Sequence, residues 1–506
     1  MIIIVDFGSQ SAHLIARRFR DLGVTTQLIE PSLLKKYLSQ AKGVVLSGGP
    51  ASVYEAESPQ LDLKIDQLGV PVLGICYGWQ MIAHQLSGKV VSAKKEYGPV
   101  SIKVTAQNPL FTKVNKQSFS VFMSHSDEVK LLPSGFITIA SSKTIPNAAA
   151  YHSVKQIYGL QFHPELSHTQ FGNQLLRNFA EIICKEQIKP RKIDVNQVLD
   201  QVAQQLEGVE GTVVSAISGG VDSAVASALV AKVIGERMKP IYCHNGLMRL
   251  GTLERIKTIF QDHLHVKPIV IDCQALFLER LKGITQPEQK RKIIGSLYIE
   301  LFEKEALKLK DVKYLVQGTI YSDVIESKGS RHAHKIKSHH NVGGLPSAMK
   351  LKLIEPLRDF YKDEVRELGK QLGLPKEAIE AQPFPGPGHA IRILGEVTAE
   401  RLAKQQQADA IVVEVLKETG YYGQVFQSFP VMTGVMTTAV KGDGRAFAEL
   451  VGLRIYDSED ILSASWSKIP FEVLGKIATR IVNEVPDLSR VVYDITTKPP
   501  ATMEWE

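Results

Sequence analysis

Compact apolar runs that stop at small or reactive residues recur along the chain. Ile2–Val5 gives way to Asp6, Gly8 and Ser9. The run at 44–46 ends at Ser47-Gly48-Gly49-Pro50, and Val72–Ile75 ends at Cys76. Helical spacing of apolar positions covers 12–22 and 80–86. Uniformly apolar strands alternating with helices predict a mostly parallel sheet covered on both faces. In such folds the ligand-handling groups gather beyond the carboxyl ends of the strands.

After a Lys-, Glu- and Pro-bearing linker at 185–192 the pattern starts again. A strand at 212–217 runs into Ser218-Gly219-Gly220-Val221-Asp222-Ser223 and an alanine-rich helix reaching Ile234. Further strands are expected at 240–243, 268–271 and 314–316. The Pro383-Phe384-Pro385-Gly386-Pro387-Gly388 run is incompatible with a helix interior or a central strand, and marks a rigid boundary or the wall of a site. Beyond it, helix-like stretches (400–419, 470–483) and β-rich ones (431–435, 490–495) suggest an α+β region. The expectation is therefore an α/β multidomain chain divided at 1–189, 190–383 and 384–506, the first two regions built on parallel sheets.

Bulk properties narrow the picture. A chain of 506 residues exceeds a single ordinary core. The formal charge of +7 suits anionic ligands such as nucleotides without pointing to nucleic acid. Cys76, Cys184, Cys243 and Cys273 form no close CxxC pair, so a reducing, cytoplasmic setting is expected. No segment offers the roughly 20 apolar residues that span a bilayer. The opening apolar run lacks a basic flank and reads as a buried strand, not a secretory signal.

Two constellations carry chemistry. In the first, Cys76 sits between a strand and a helix in Gly74-Ile75-Cys76-Tyr77-Gly78, the form of a nucleophile elbow. His163-Pro164-Glu165 follows another apolar run. On an extended segment its two outer side chains share a face, as a base and its orienting carboxylate require. The glycines of Ser47-Gly48-Gly49-Pro50 can direct an N–H at a developing oxyanion. Singly, each also fits a plain role: a buried structural cysteine, a capped strand end, a turn. In the second constellation, Ser218 to Ser223 form a small-residue loop between a strand and a helix, suited to wrapping an anion in backbone N–H groups. It lacks the Gly-Lys-Ser/Thr ending of a Walker loop. Asp222 is a candidate Mg²⁺ ligand. Asp323 is either a second carboxylate near the phosphates or a local cap. A basic, histidine-bearing stretch from Arg331 to His340, ahead of Asn341-Val342-Gly343-Gly344, suggests a loop that closes over anionic ligands.

The first set resembles the class I glutamine amidotransferases, which carry the same motifs in the same order. That resemblance implies Cys76 as nucleophile, His163 as proton carrier, Glu165 as its orienter, and the amides of Gly49 and Tyr77 as oxyanion hole. The 218–223 loop resembles the pyrophosphatase loop of enzymes that cleave ATP to AMP and pyrophosphate. Over its whole length the chain is similar to the glutamine-hydrolysing GMP synthase family. The similarity includes Lys337-Ser338-His339-His340-Asn341 and the tail from Arg490 to Glu506. It implies glutamine, ATP and xanthosine 5′-monophosphate (XMP) as substrates and Mg²⁺ as the metal. It also implies a homodimer made by the C-terminal region, and Lys337, Gln427, Arg490, Lys498 and Glu504 around XMP. Neither nucleic acid nor a membrane is expected as partner. The chain departs from the family pattern at His244, Ser126, Ala381, Gln382 and His389, and at Phe426, Ser428, Ser463 and Ser465. Competing readings are another AMP-forming amidotransferase, or RNA thiolation, which uses related loops. The latter would favour paired cysteines and an RNA-binding surface, and neither is evident.

Overall fold

The computed structural model describes residues 1–9, 11–189, 192–321, 323–324, 351–441, 444–458, 463–498 and 500–506. The stretch from Arg331 to Gly344, and Lys337 with it, lies outside the described residues. Two compact units form, Met1–Lys192 and Ile193–Glu506.

The first unit is built on β1 (Ile2–Val5), β2 (Thr26–Ile29), β3 (Gly43–Leu46), β4 (Val72–Ile75), β5 (Lys89–Val104), β6 (Ser118–Leu131), β7 (Ile137–Ser141), β8 (Ala149–His152) and β9 (Ile157–Leu160). They form one sheet in the order β2-β1-β3-β4-β9-β8-β7-β5-β6. The first five strands are mutually parallel and the rest antiparallel. β1, β3 and β4 are buried at every position, which explains why they lack any polar alternation. The parallel half thus follows the hydrophobic pattern. The long β5–β6 hairpin was not foreseen, because its strands mix polar and apolar residues without a sharp boundary. Helices Ala12–Asp21 and Tyr77–Gln85 lie against the sheet.

In the second unit β10 (Thr212–Ile217), β11 (Met238–His244), β12 (Ile269–Asp272), β13 (Val312–Val316) and β14 (Lys352–Ile354) make a parallel sheet in the order β12-β11-β10-β13-β14. β15 (Gln427–Lys441), β16 (Gly444–Asp457), β17 (Ser465–Trp466) and β18 (Leu488–Tyr493) form another, with β15 and β17 antiparallel to β16 and β18 parallel to it. Helices Ala399–Glu418 and Phe471–Glu484 cover the latter sheet. One apolar cluster joins Phe277 and Ile294 to Val412, Val451 and Ile477. The two sheets of this unit therefore share a core. Among the described residues no helix is long and apolar enough to cross a membrane.

Gly78 shows how tightly the first sheet is packed beneath the Cys76 turn. A Cβ there would lie 2.3 Å from the Leu46 carbonyl oxygen and 2.8 Å from Leu46 Cβ. Backbone cannot yield as a flexible side chain can. We expect Gly78→Ala to cost about 1–3 kcal/mol, seen as a lower melting temperature of the purified protein. An unchanged melting temperature would contradict this packing.

Candidate active sites

β4 delivers Cys76 directly to the start of helix Tyr77–Gln85, with the cysteine at φ 51°, ψ −108°. A residue with a Cβ pays heavily for that conformation. The turn is held from both sides: Cys76 N donates to Leu160 O at 2.7 Å and Gly78 N to Ser47 O at 3.0 Å. The ends of β4, β9 and β3 are thereby tied together. Cys76 Sγ points toward Ser124 O at 3.5 Å, and Gln161 Nε2 lies 3.9 Å from the sulfur.

His163 and Glu165 follow β9 in a turn, not on the extended segment expected from their spacing. The turn still brings them together: His163 Nδ1 and Glu165 Oε1 are 2.8 Å apart and both residues are buried. Ser11 Oγ donates to the same carboxylate oxygen at 2.6 Å, and Arg18 Nε donates to the Glu165 carbonyl at 3.0 Å. Burial is the largest influence on His163 and favours the neutral ring. The Glu165 charge, with bonds to Cys76 and Glu165, outweighs it and holds the imidazole well above its usual range. Since Nδ1 faces Glu165, Nε2 is left for the sulfur.

Gly48 is the strand-end glycine nearest both groups. A Cβ on it would stand 3.1 Å from His163 Cε1 and 3.8 Å from Cys76 Cβ. Gly49 packs beside Phe7, and a Cβ on it would be 3.4 Å from Tyr77 Cγ. Tyr77 opens its helix, so its N–H has no intrahelical acceptor. Sequence reasoning named Gly48 only as part of the glycine pair after β3 and missed Ser11. A serine in the first turn after β1 carries no motif of its own.

In the second unit, residues 218–223 link β10 to helix Val221–Ile234. The bend requires Gly219 at φ 83°. Ser223 Oγ donates to Gly220 O at 3.1 Å and accepts from Ser218 N at 3.3 Å, while Arg255 Nη2 donates to Gly219 O at 3.1 Å. Gly318, past β13, comes so close that a Cβ would be 2.8 Å from the Asp222 carbonyl carbon. Lys362 Nζ pairs with Asp222 Oδ2, leaving Oδ1 buried without a hydrogen-bond partner among the described residues. Asp323 Oδ2 accepts from Ile320 N at 3.0 Å, the capping geometry.

A cavity of about 1140 Å³ opens in this unit. Residues 218–222 line one part of it, the 383–387 wall another, and Gln427, Tyr456, Met503 and Glu504 a third. Asp323, Arg249, Arg255 and Lys362 also face it. Gln427 is fixed by Tyr456 Oη, which donates to its Oε1, and by its own Nε2, which donates to Pro383 O at 2.8 Å. The tail is strapped down by Arg454, whose Nε donates to Met503 O at 3.0 Å and Nη2 to Thr502 O at 2.8 Å. Trp505 Nε1 donates to Asp494 Oδ2 at 3.0 Å, and its ring covers Gly452. Buried Lys290 holds Glu506 Oε2 at 2.5 Å.

Arg490 and Lys498 are not brought to the cavity. Arg490 Nη2 donates to Thr438 O at 3.0 Å along the β18 edge, and Lys498 exchanges backbone hydrogen bonds with Ala464. Ser223 lies behind the loop it stabilises. The departure at Gln382 has a local partner. Its Oε1 accepts from both Ser428 N and Ser428 Oγ at 2.9 Å, and its Nε2 donates to Tyr422 O at 3.1 Å. His244 ends β11 beside Asp272, outside the cavity lining.

Known protein families divide the chain in the same way. Residues 3–183 match the family Glutamine amidotransferase class-I, and residues 414–505 match the GMP synthase C terminal domain. The first unit is thus a class I glutamine amidotransferase domain. The chain is 48% identical over 511 residues to the glutamine-hydrolysing GMP synthase of Desulfotalea psychrophila, covering 100% of this chain and 99% of the relative. It is 49% identical over 521 residues to that of Nitratiruptor, with the same coverage of 100% and 99%. For that of Caldanaerobacter subterraneus the identity is 46% over 512 residues, again with coverage of 100% and 99%. The chain belongs to the glutamine-hydrolysing GMP synthase family.

The raised His163 pKa sets a pH dependence. The folded protein holds this proton more tightly than the unfolded chain, whose imidazole titrates near ~6.5. Its stabilising contribution is complete below that pH and is lost as pH rises through the folded value. We expect His163→Gln to lose about 3–5 kcal/mol relative to wild type at low pH and progressively less in alkaline buffer. Unfolding of both proteins across a pH series measures the difference, and a pH-independent gap would count against the charged pair.

Proposed function

We propose that Cys76, His163 and Glu165 release ammonia from glutamine, and that the cavity of the second unit holds ATP and XMP together for its use. As a member of its family the chain is a ligase that makes GMP from XMP, with glutamine as nitrogen source and ATP as energy source. Cys76 Sγ attacks the glutamine amide carbon, and His163 Nε2 passes a proton to the departing ammonia. Glu165, steadied by Ser11, keeps the imidazole oriented. The N–H groups of Gly49 and Tyr77 receive the oxyanion. Water then cleaves the thioester to glutamate.

In the second unit, the backbone of 218–223 binds the ATP phosphates, and the XMP 2-oxygen attacks the α-phosphorus as pyrophosphate leaves. Ammonia adds at the purine carbon so activated, and AMP departs. Asp222 Oδ1, buried without a hydrogen-bond partner among the described residues, would hold a Mg²⁺ ion. Such an ion would neutralise charge on the leaving pyrophosphate. The single observation that carries the reading is the shared cavity. The phosphate loop and the Gln427–Glu504 pair line one space, larger than the ~300–1,000 Å³ of a single-ligand pocket. Lys337, Arg490 and Lys498 remain candidates for XMP contact by resemblance.

A division near 189/190 and 383/384 assigns 190–383 to a pyrophosphatase domain and 384–506 to dimerisation and XMP binding. The β15–β16 hairpin supports the homodimer: Val440 is 75% and Phe447 67% exposed, with Val435 and Met436 beside them. The family reaction and four buried cysteines free of disulfides suit the cytoplasm.

Cys76→Ala is expected to abolish glutamine-dependent GMP formation while ammonium salts still support it. Assays with each nitrogen source decide this, and normal glutamine use by the variant would remove Cys76 as nucleophile. Asp222→Asn is expected to slow XMP-dependent exchange of pyrophosphate into ATP at least about tenfold, the loss of one charged contact. Exchange that stays at the wild-type rate throughout a Mg²⁺ titration would rule out the metal role.

A further inference from the structure

Arg392 ends the short helical turn Gly388–Arg392, directly after the proline-rich wall, and is fully buried. Its guanidinium lies between two aromatic faces, 4.5 Å from the Phe384 ring centroid and 3.9 Å from that of Phe429. Within the plane so defined, Nε donates to Glu504 Oε2 at 3.0 Å and Nη2 to Glu504 Oε1 at 2.8 Å. The remaining edge faces Asp409, whose Oδ1 is 3.9 Å from Nη1. Asp409 in turn is held by Arg249, with Nε 2.8 Å from Oδ2 and Nη2 3.1 Å from Oδ1. Arg249 stands 5.0 Å from the centroid of Phe384 and donates to Ser428 O at 2.8 Å.

Four charges, two of each sign, are thus interlocked around one ring. Glu504, Phe384 and Arg249 line the cavity, and Arg392 and Asp409 lie behind them. His389 occupies the same interior without adding charge. Burial is the main cause that lowers its pKa to about 3, and Arg392 and Arg249 push the same way against Asp409. It stays neutral and does not compete for Asp409.

The fork pairing uses one lone pair on each Glu504 oxygen. Gln427 Nε2, at 3.4 Å, adds a second donor to Oε1. Oε2 receives no donor besides Arg392 among the described residues, so an acceptor site remains on a carboxylate that cannot rotate. We propose that Arg392 is the positioning residue of the nucleotide site. It holds Glu504 at the angle at which the carboxylate accepts a purine N–H, and is itself held by Asp409 and Arg249. This rests on the reading that XMP binds in the cavity. Arg392 never touches the nucleotide and acts through Glu504. A lysine would keep the charge but supply neither the fork nor a flat surface for the two rings.

The test uses the full-length protein with saturating ATP and ammonia, and follows GMP formation as XMP is varied. Arg392→Lys, Glu504→Gln and the double variant are compared. Arg392→Lys is expected to raise the KM for XMP about 10- to 100-fold, as for loss of a charged, bidentate contact, with a smaller fall in kcat. The double variant is expected to be no worse than Glu504→Gln alone, because Arg392 acts only through that carboxylate. An unchanged KM in Arg392→Lys, or penalties that multiply in the double variant, would overturn the proposal. Should Arg392→Lys fail to fold, Asp409→Asn leaves every cavity-facing group in place. It is expected to raise the KM for XMP severalfold, and an unchanged KM again overturns the proposal. A wild-type protein that makes no GMP from XMP would instead sink the underlying reading.

Discussion

A charge removed from water has to meet its opposite at short range or give up its proton, and this requirement shapes both units. In the first, Glu165 is buried and finds His163 and Ser11, which fixes the imidazole relative to Cys76. In the second, Arg392 and Arg454 are buried, and their partners are Glu504, Asp409, Asp494 and the tail backbone. The groups assigned to chemistry point where they do because the alternative is an unmatched buried ion. Sheets and helices supply the frame, and charge matching sets the last ångström.

The alternation of strand and helix was legible because buried parallel strands advertise themselves as unbroken apolar runs. Ile2–Val5, Val72–Ile75 and Thr212–Ile217 appear in the structure with the limits expected of them. The local motifs were legible for a related reason. Cys76 and the 218–223 loop are each contiguous, and each sits where a strand hands over to a helix. The β5–β6 hairpin was not legible, since one face meets solvent and its strands carry lysines and serines throughout. Nor were Lys362, Arg249 and Arg392. Each is a single basic residue that becomes meaningful only when a distant segment folds against it, and no spacing rule reaches from 392 to 504. The His163–Glu165 pairing was anticipated from a two-residue spacing on a strand. It is made by a turn, where the same spacing works through a different backbone path.

Three departures from the family pattern, Gln382, Ser428 and His389, fall where neighbours accommodate them. Gln382 and Ser428 depart together, and the amide oxygen of the one receives both the N–H and the hydroxyl of the other. His389 stacks edgewise on Phe384 with centroids 5.0 Å apart. Its Nδ1 meets Gln405 Nε2 at 3.4 Å. His244 is different: nothing in its surroundings explains the departure at the end of β11.

The packing of Trp505 has an optical consequence. The chain has three tryptophans. Trp79 is sealed in the first unit and Trp466 sits beside Tyr493, whereas Trp505 is 37% exposed and hydrogen-bonded to Asp494. An indole seated over Gly452 by one hydrogen bond emits differently once it lifts into water. The tail therefore carries its own fluorophore, and a protein with phenylalanine at 79 and 466 would report its docking and release in real time without an attached dye.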